Sequence, residues 1–126
     1  MKIKYGTNRI VFIFNKIVIK IPNFKYSYEN FLTGILANLQ EKRFSGLHKD
    51  LAKVKYCHRS GLFLIMEKIG ELPLYITFEL LHIKLDRKYR NDELREFLFS
   101  DFKKENWGYV YGRSDTRDFV KIDYGS

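Results

Sequence analysis

Asp101, Lys103 and Asn106 place a carboxylate, an ammonium group and a carboxamide within six residues, and Asp123-Tyr124-Gly125 adds a second carboxylate beside a glycine. Groups of these kinds, if brought together, suit phosphoryl transfer, in which the protein mainly positions the reactants and stabilises charge. Upstream, Lys20 closes the apolar run Ile17-Val18-Ile19, and Glu41 lies within a helical pattern. Metal chemistry of the zinc type is not indicated, because Cys57 is the lone cysteine and His48, His58 and His82 do not have zinc-ligand spacing.

The elements that must carry these groups follow from hydrophobic periodicity. Ile10–Phe14 and Ile17–Ile21 are rich in β-branched and aromatic residues and meet at Asn15-Lys16, which predicts a hairpin whose second strand ends at Pro22. Ser27 is placed to cap a helix whose apolar positions Phe31, Leu32, Ile35, Leu36, Leu39 and Phe44 recur at three- and four-residue spacing until Ser45-Gly46. Leu51–Cys57 and Leu62–Ile69 read as a second strand pair across His58-Arg59-Ser60-Gly61, with a break from Gly70 to Pro73. Leu74–Leu85 reads as helical, and Asn91 or Asp92 caps a further short helix to about Phe99. Tyr109-Val110-Tyr111 and Phe119–Ile122 are two closing strands. The fold class expected from this order is α+β.

Composition bounds the rest. A chain of 126 residues with 45% hydrophobic and 17% aromatic content is not disordered, and it has room for one domain. Lys and Arg exceed Asp and Glu by 23 to 15, a net charge of +8, which favours acidic partners such as nucleic acid, nucleotide phosphates or an acidic protein surface. Uncharged apolar stretches such as Leu62–Met66 are far short of the roughly 20 residues of a membrane span. With no signal peptide pattern and no second cysteine, the expected location is the cytoplasm of a host cell, with no membrane partner.

Asp101-Phe102-Lys103-Lys104-Glu105-Asn106 and Asp123-Tyr124-Gly125 resemble the catalytic loop and metal-binding triplet of protein kinases, and Ile17-Val18-Ile19-Lys20 resembles their strand lysine motif. The resemblance implies a small lobe over 1–69, built of an antiparallel sheet and one long helix, and a much reduced large lobe over 70–126. It implies that Lys20 contacts nucleotide phosphates and pairs with Glu41, which suits the family spacing better than Glu29 does. Met66 and Glu67 would line the strand entering the adenine-binding hinge. Asp101 would be the catalytic base, Lys103 would neutralise the transferred phosphoryl group, and Asn106 and Asp123 would hold Mg²⁺.

The chain departs from that family in ways that bear on turnover. Gly6-Thr7-Asn8-Arg9 has one glycine where kinases use two or three, leaving Arg9 to substitute by charge, and Phe99-Ser100 replaces the histidine and arginine before the loop aspartate. No activation segment follows Gly125, so Phe97, Leu98, Phe102 and Trp107 must be covered within the remnant or by another molecule, which raises homo-oligomerisation. Small kinase-like chains of this kind resemble uncharacterised phage and prophage proteins. The expectation is therefore a non-catalytic binding protein of phage or mobile-element origin, requiring no cofactor, that modulates a host protein or ribonucleoprotein. An anti-CRISPR inhibitor of an RNA-guided nuclease is the form that fits the charge. Arg113, Arg117 and Lys121, beside Tyr109, Tyr111 and Phe119, are the candidate contacts to nucleic acid or partner, although Tyr109 and Tyr111 alternate on a strand and more readily face the core. The alternative is a minimal phosphotransferase using ATP and Mg²⁺.

Overall fold

The computed structural model of the chain describes residues 1–72, 74–111 and 117–125, with the side chains of 110, 111, 117 and 118 left aside. It is an α+β protein that divides into two compact units, Met1–Lys68 with the chain's last segment from Asp123, and Ile69–Ile122. The kinase resemblance implied a division between 69 and 70. The Asp-Tyr-Gly triplet, however, returns to the first unit instead of staying with the second half. Among the described residues, no helix is long and apolar enough to cross a membrane.

The first unit is a five-stranded antiparallel sheet of order β1-β2-β3-β5-β4, formed by β1 (Lys2–Tyr5), β2 (Arg9–Ile13), β3 (Ile17–Pro22), β4 (Val54–Cys57) and β5 (Leu64–Glu67). The expected hairpin at Asn15-Lys16 forms, closed by the Phe14 amide donating to the Ile17 carbonyl at 2.9 Å. β1 was not expected as a strand. All four of its residues are exposed, so it carries no alternation of buried and exposed side chains for a sequence reading to detect.

α1 (Tyr28–Phe44) follows β3, with the Ser27 hydroxyl accepting from the Asn30 amide at 3.1 Å and Ser45 at its C-cap. Gly46 then takes φ 86°, the left-handed region a glycine adopts without strain. The helix buries a different face from the one its apolar pattern suggested. Gly34, Ala37, Asn38 and Glu41 are buried, at the i, i+3, i+4, i+7 spacing of one helical stripe, whereas Leu36 is 65% exposed and Leu32 40%.

The second unit holds α2 (Phe78–Lys88), α3 (Arg95–Leu98), a 3-10 turn at Lys104–Asn106, and a three-stranded sheet of order β6 (Gly70–Glu71), β7 (Trp107–Tyr111), β8 (Arg117–Lys121). α2 starts later than expected because Thr77, not a residue near Leu74, supplies the cap, its hydroxyl accepting from the Leu80 amide at 3.2 Å. Leu81, Leu85, Leu98, Tyr89 and Trp107 are buried, so two of the apolar residues thought to need cover, Leu98 and Trp107, are covered.

Candidate functional site

Lys20 and Glu41 come together in the first unit. Burial along β3 favours Lys20 and Pro22 on one side of the strand, and the buried stripe of α1 carries Glu41. Lys20 Nζ donates to both carboxylate oxygens, at 3.0 and 3.1 Å, and the carboxylate is fully buried. The approach depends on Gly34. A Cβ there would lie 2.2 Å from the Asn8 carbonyl oxygen and 2.8 Å from Pro22 Cα, so a side chain would push the helix off the sheet.

Arg9, the first residue of β2, takes a part that its loop position only hinted at. Its guanidinium donates to the Glu41 carboxylate, to Asn38 Oδ1 at 3.1 Å and to Asp123 Oδ1 at 2.9 Å. Burial works against the charge of Arg9, but Glu41 and Asp123 outweigh it and raise its pKa. Asn38 completes the set by donating Nδ2 to the carbonyls of Lys20 (3.1 Å) and Gly61 (2.9 Å), so β3, β2 and the β4–β5 turn all meet on one amide. Sequence reasoning missed Asn38. The available signal was its place three residues before Glu41, on the same helical face.

The closing triplet docks on this cluster residue by residue. Asp123 meets Arg9, and the buried Tyr124 donates its hydroxyl to the Ala52 carbonyl at 2.6 Å while its own carbonyl accepts from Gln40 at 3.1 Å. Burial pushes the Tyr124 phenol well above its usual pKa, with the Glu41 charge adding to the effect. Gly125 has no room for a side chain, since a Cβ would lie 2.8 Å from the Ala37 carbonyl oxygen and 3.0 Å from Glu41 Oε1.

Met66 is buried on β5, opposite Val18 of β3. Glu67 ends β5, and its carboxylate accepts from the Lys53 amide at 2.9 Å, so this side chain is tied to the chain entering β4.

In the second unit Asp101 has φ 45°, an unusual left-handed conformation for a non-glycine residue. Asn106 holds it by donating Nδ2 to the Asp101 carbonyl at 2.8 Å and, at 3.4 Å, to its carboxylate. The exposed Lys103 lies 3.6 Å from the same carboxylate. The six-residue loop therefore closes on itself, and the Ile122 amide ties it to the end of β8 by donating to the Asn106 carbonyl at 2.8 Å.

Lys121 is not a surface contact. It is fully buried, and its ammonium donates to the carbonyls of Phe97 (3.1 Å), Leu98 (3.1 Å) and Ser100 (2.9 Å), where the last turn of α3 presents acceptors. Tyr109 and Phe119, candidates for a stacking surface, pack on each other with ring centroids 5.1 Å apart, and Phe119 is buried. Arg113 lies outside the described residues, and of Arg117 only the backbone, opening β8, is described.

Asn106 and Asp123 are the residues that the kinase resemblance assigns to Mg²⁺. Magnesium takes oxygen ligands in near-octahedral geometry, usually with one or two carboxylates. Asp123 presents its carboxylate to the guanidinium of Arg9, and Asn106 turns its amide N–H groups toward Asp101. As arranged, Asn106 serves hydrogen bonds within the second unit and Asp123 an ion pair within the first. No protein-family model matches the chain, and no curated protein matches it.

Proposed function

We propose that this chain is a kinase-like scaffold without turnover, a pseudokinase that acts in the cytoplasm by binding a host macromolecule. The kinase-like part of the reading is supported by the Lys20–Glu41 pair between the third strand and the following helix, and by the Asp101 loop closed by Asn106. The observation that carries the loss of turnover is Arg9. Its guanidinium spans Glu41 and Asp123, so the two carboxylates that the resemblance assigns to lysine positioning and metal binding are neutralised from within the fold. The resemblance to small phage proteins and the +8 charge support a ribonucleoprotein of host defence, such as an RNA-guided nuclease, as the partner class.

A ligand bound at a hundred times its Kd stabilises a fold by about 2.7 kcal/mol, which a melting scan resolves easily. The expected result with millimolar Mg-ATP is an unchanged Tm. The second reading, a minimal phosphotransferase, is favoured by the geometry of Lys20, which reaches both oxygens of Glu41. A rise in Tm with Mg-ATP that disappears in Asp123→Ala would establish that reading and end the first.

A further inference from the structure

Residues 1–28 contain six Lys or Arg and no Asp or Glu. Arg9 and Lys20 are taken up by Glu41 and Asp123, but the remaining lysines lie outside that cluster. β1 stands at the end of the sheet order, with β2 as its one neighbour. Beside it runs the segment between β3 and α1, and the buried Asn23 fixes that segment in place. Asn23 donates Nδ2 to the Gly6 carbonyl at 2.7 Å, donates its amide to the Asn8 carbonyl at 2.8 Å, and accepts from the Lys25 amide at 2.9 Å.

What Asn23 presents is aromatic and positive. Lys25 Nζ sits 4.7 Å from the centre of the Tyr5 ring. Tyr5 is 61% exposed, and Phe24, Tyr26 and Tyr28 are 67%, 68% and 74% exposed. Burying one such ring is worth about 1.5–3 kcal/mol, so several held in water on a stapled segment form a surface that a flat apolar ligand would cover favourably.

We propose that this surface binds an unpaired stretch of polynucleotide. Bases stack on Tyr5, Phe24, Tyr26 and Tyr28, and phosphates lie against Lys4 and Lys25. Unpaired bases are required because duplex bases already stack on one another and do not offer their faces. Stacking and phosphate contact both ignore the sugar, so RNA and DNA strands bind alike. The proposal names a ligand class for the binding role above, yet it is independent of the kinase-like reading, for none of these residues belongs to the Arg9–Glu41 cluster.

The test is fluorescence anisotropy with labelled oligouridylate and oligothymidylate of about twelve nucleotides, within the usual range of single-strand site sizes. Both strands are expected to bind, and Tyr26→Ala or Tyr28→Ala to weaken binding about tenfold each at unchanged Tm, since both rings are exposed. Lys25→Gln should reduce the slope of log K against log salt by about 0.7. Four outcomes overturn the proposal: no binding at low salt, equal affinity for a duplex of the same length, equal displacement by polyglutamate, or unchanged affinity in the Tyr26→Ala/Tyr28→Ala double variant. The Mg-ATP melting scan reads the other cluster, so the two proposals fail separately.

Discussion

The first unit buries Arg9 and Lys20 against side-chain carboxylates, whereas the second buries the ammonium of Lys121 against main-chain carbonyls. The two arrangements depend on different parts of the chain. In the first, two cations share Glu41, so the cluster fails when that one side chain is lost. In the second, the carbonyl acceptors belong to the end of α3 and the turn after it and remain whatever residue replaces Lys121. The second unit also leaves a donor unmet, the buried Trp107 indole N–H, which finds no acceptor among the described residues. The buried cations of the first unit are thus matched by side-chain carboxylates, and the buried Lys121 of the second chiefly by the path of the backbone.

Glu41→Ala tests the first half of that contrast and should have the largest effect. Removing one member of a buried ion pair leaves the other charge uncompensated, at a cost of about 3–5 kcal/mol. Here two cations lose their acceptor together, although Arg9 keeps Asp123. Urea unfolding followed by circular dichroism measures the change, and a loss below about 1 kcal/mol would mean that Lys20 and Arg9 find water or other partners readily. Lys121→Met keeps length and volume but removes the donor, stranding carbonyls that it satisfied; the expected loss is about 1–3 kcal/mol. Hydrogen exchange should place that loss in the second unit. A cost equal to that of Glu41→Ala would remove the distinction between the two kinds of cluster.

The same contrast explains what was legible beforehand. Local pattern placed the β-branched strand and the capped helix, and the resemblance to kinases singled out Lys20 and Glu41 on them. Arg9 and Asn38 were not legible, since their partners lie 18 or more residues away and the local sequence offered only the place of Asn38 three residues before Glu41. The helical pattern itself misled, because Leu32 and Leu36 were read as core while the tight contact at Gly34 brings a small and polar stripe to the sheet. Lys121 was assigned to the surface on residue type alone. Only the course of the turn from Phe97 to Ser100 shows that its ammonium is enclosed, and that course is a tertiary fact.

Tyr124→Phe probes how tightly the closing triplet is held. Removing the hydroxyl that donates to Ala52 should cost about 1 kcal/mol near neutral pH. The sign of its pH dependence follows from burial, which holds the phenol protonated above its ordinary value of about 10. In the unfolded chain the tyrosine ionises near 10, so the contribution of the neutral hydroxyl is complete below that pH. It is lost as pH rises toward the folded value. The gap in stability between the native protein and Tyr124→Phe should therefore close in alkali, as read from denaturation midpoints at a series of pH values. A gap that stays constant through pH 11 would show that Tyr124 is not enclosed as described.

The smallest effect is expected at the surface of the second unit, where Arg95 of α3 donates to Asp86 of α2. The hydrogen bond from Arg95 and its charge hold the Asp86 carboxyl below the usual range. For a depressed carboxyl the stabilisation is present above the ordinary value of about 4, and it is lost as pH falls through the lowered one. Asp86→Asn should thus differ from the native protein at neutral pH and converge with it in acid. Because the pair is open to water, added salt should shrink even the neutral-pH difference. Thermal melts at low and high salt check both trends. If the neutral-pH difference is instead unaffected by salt, Asp86 contributes through the geometry of its contact with α3 and not through its charge, and the second unit would rely on side-chain charge even less than the comparison with the first implies.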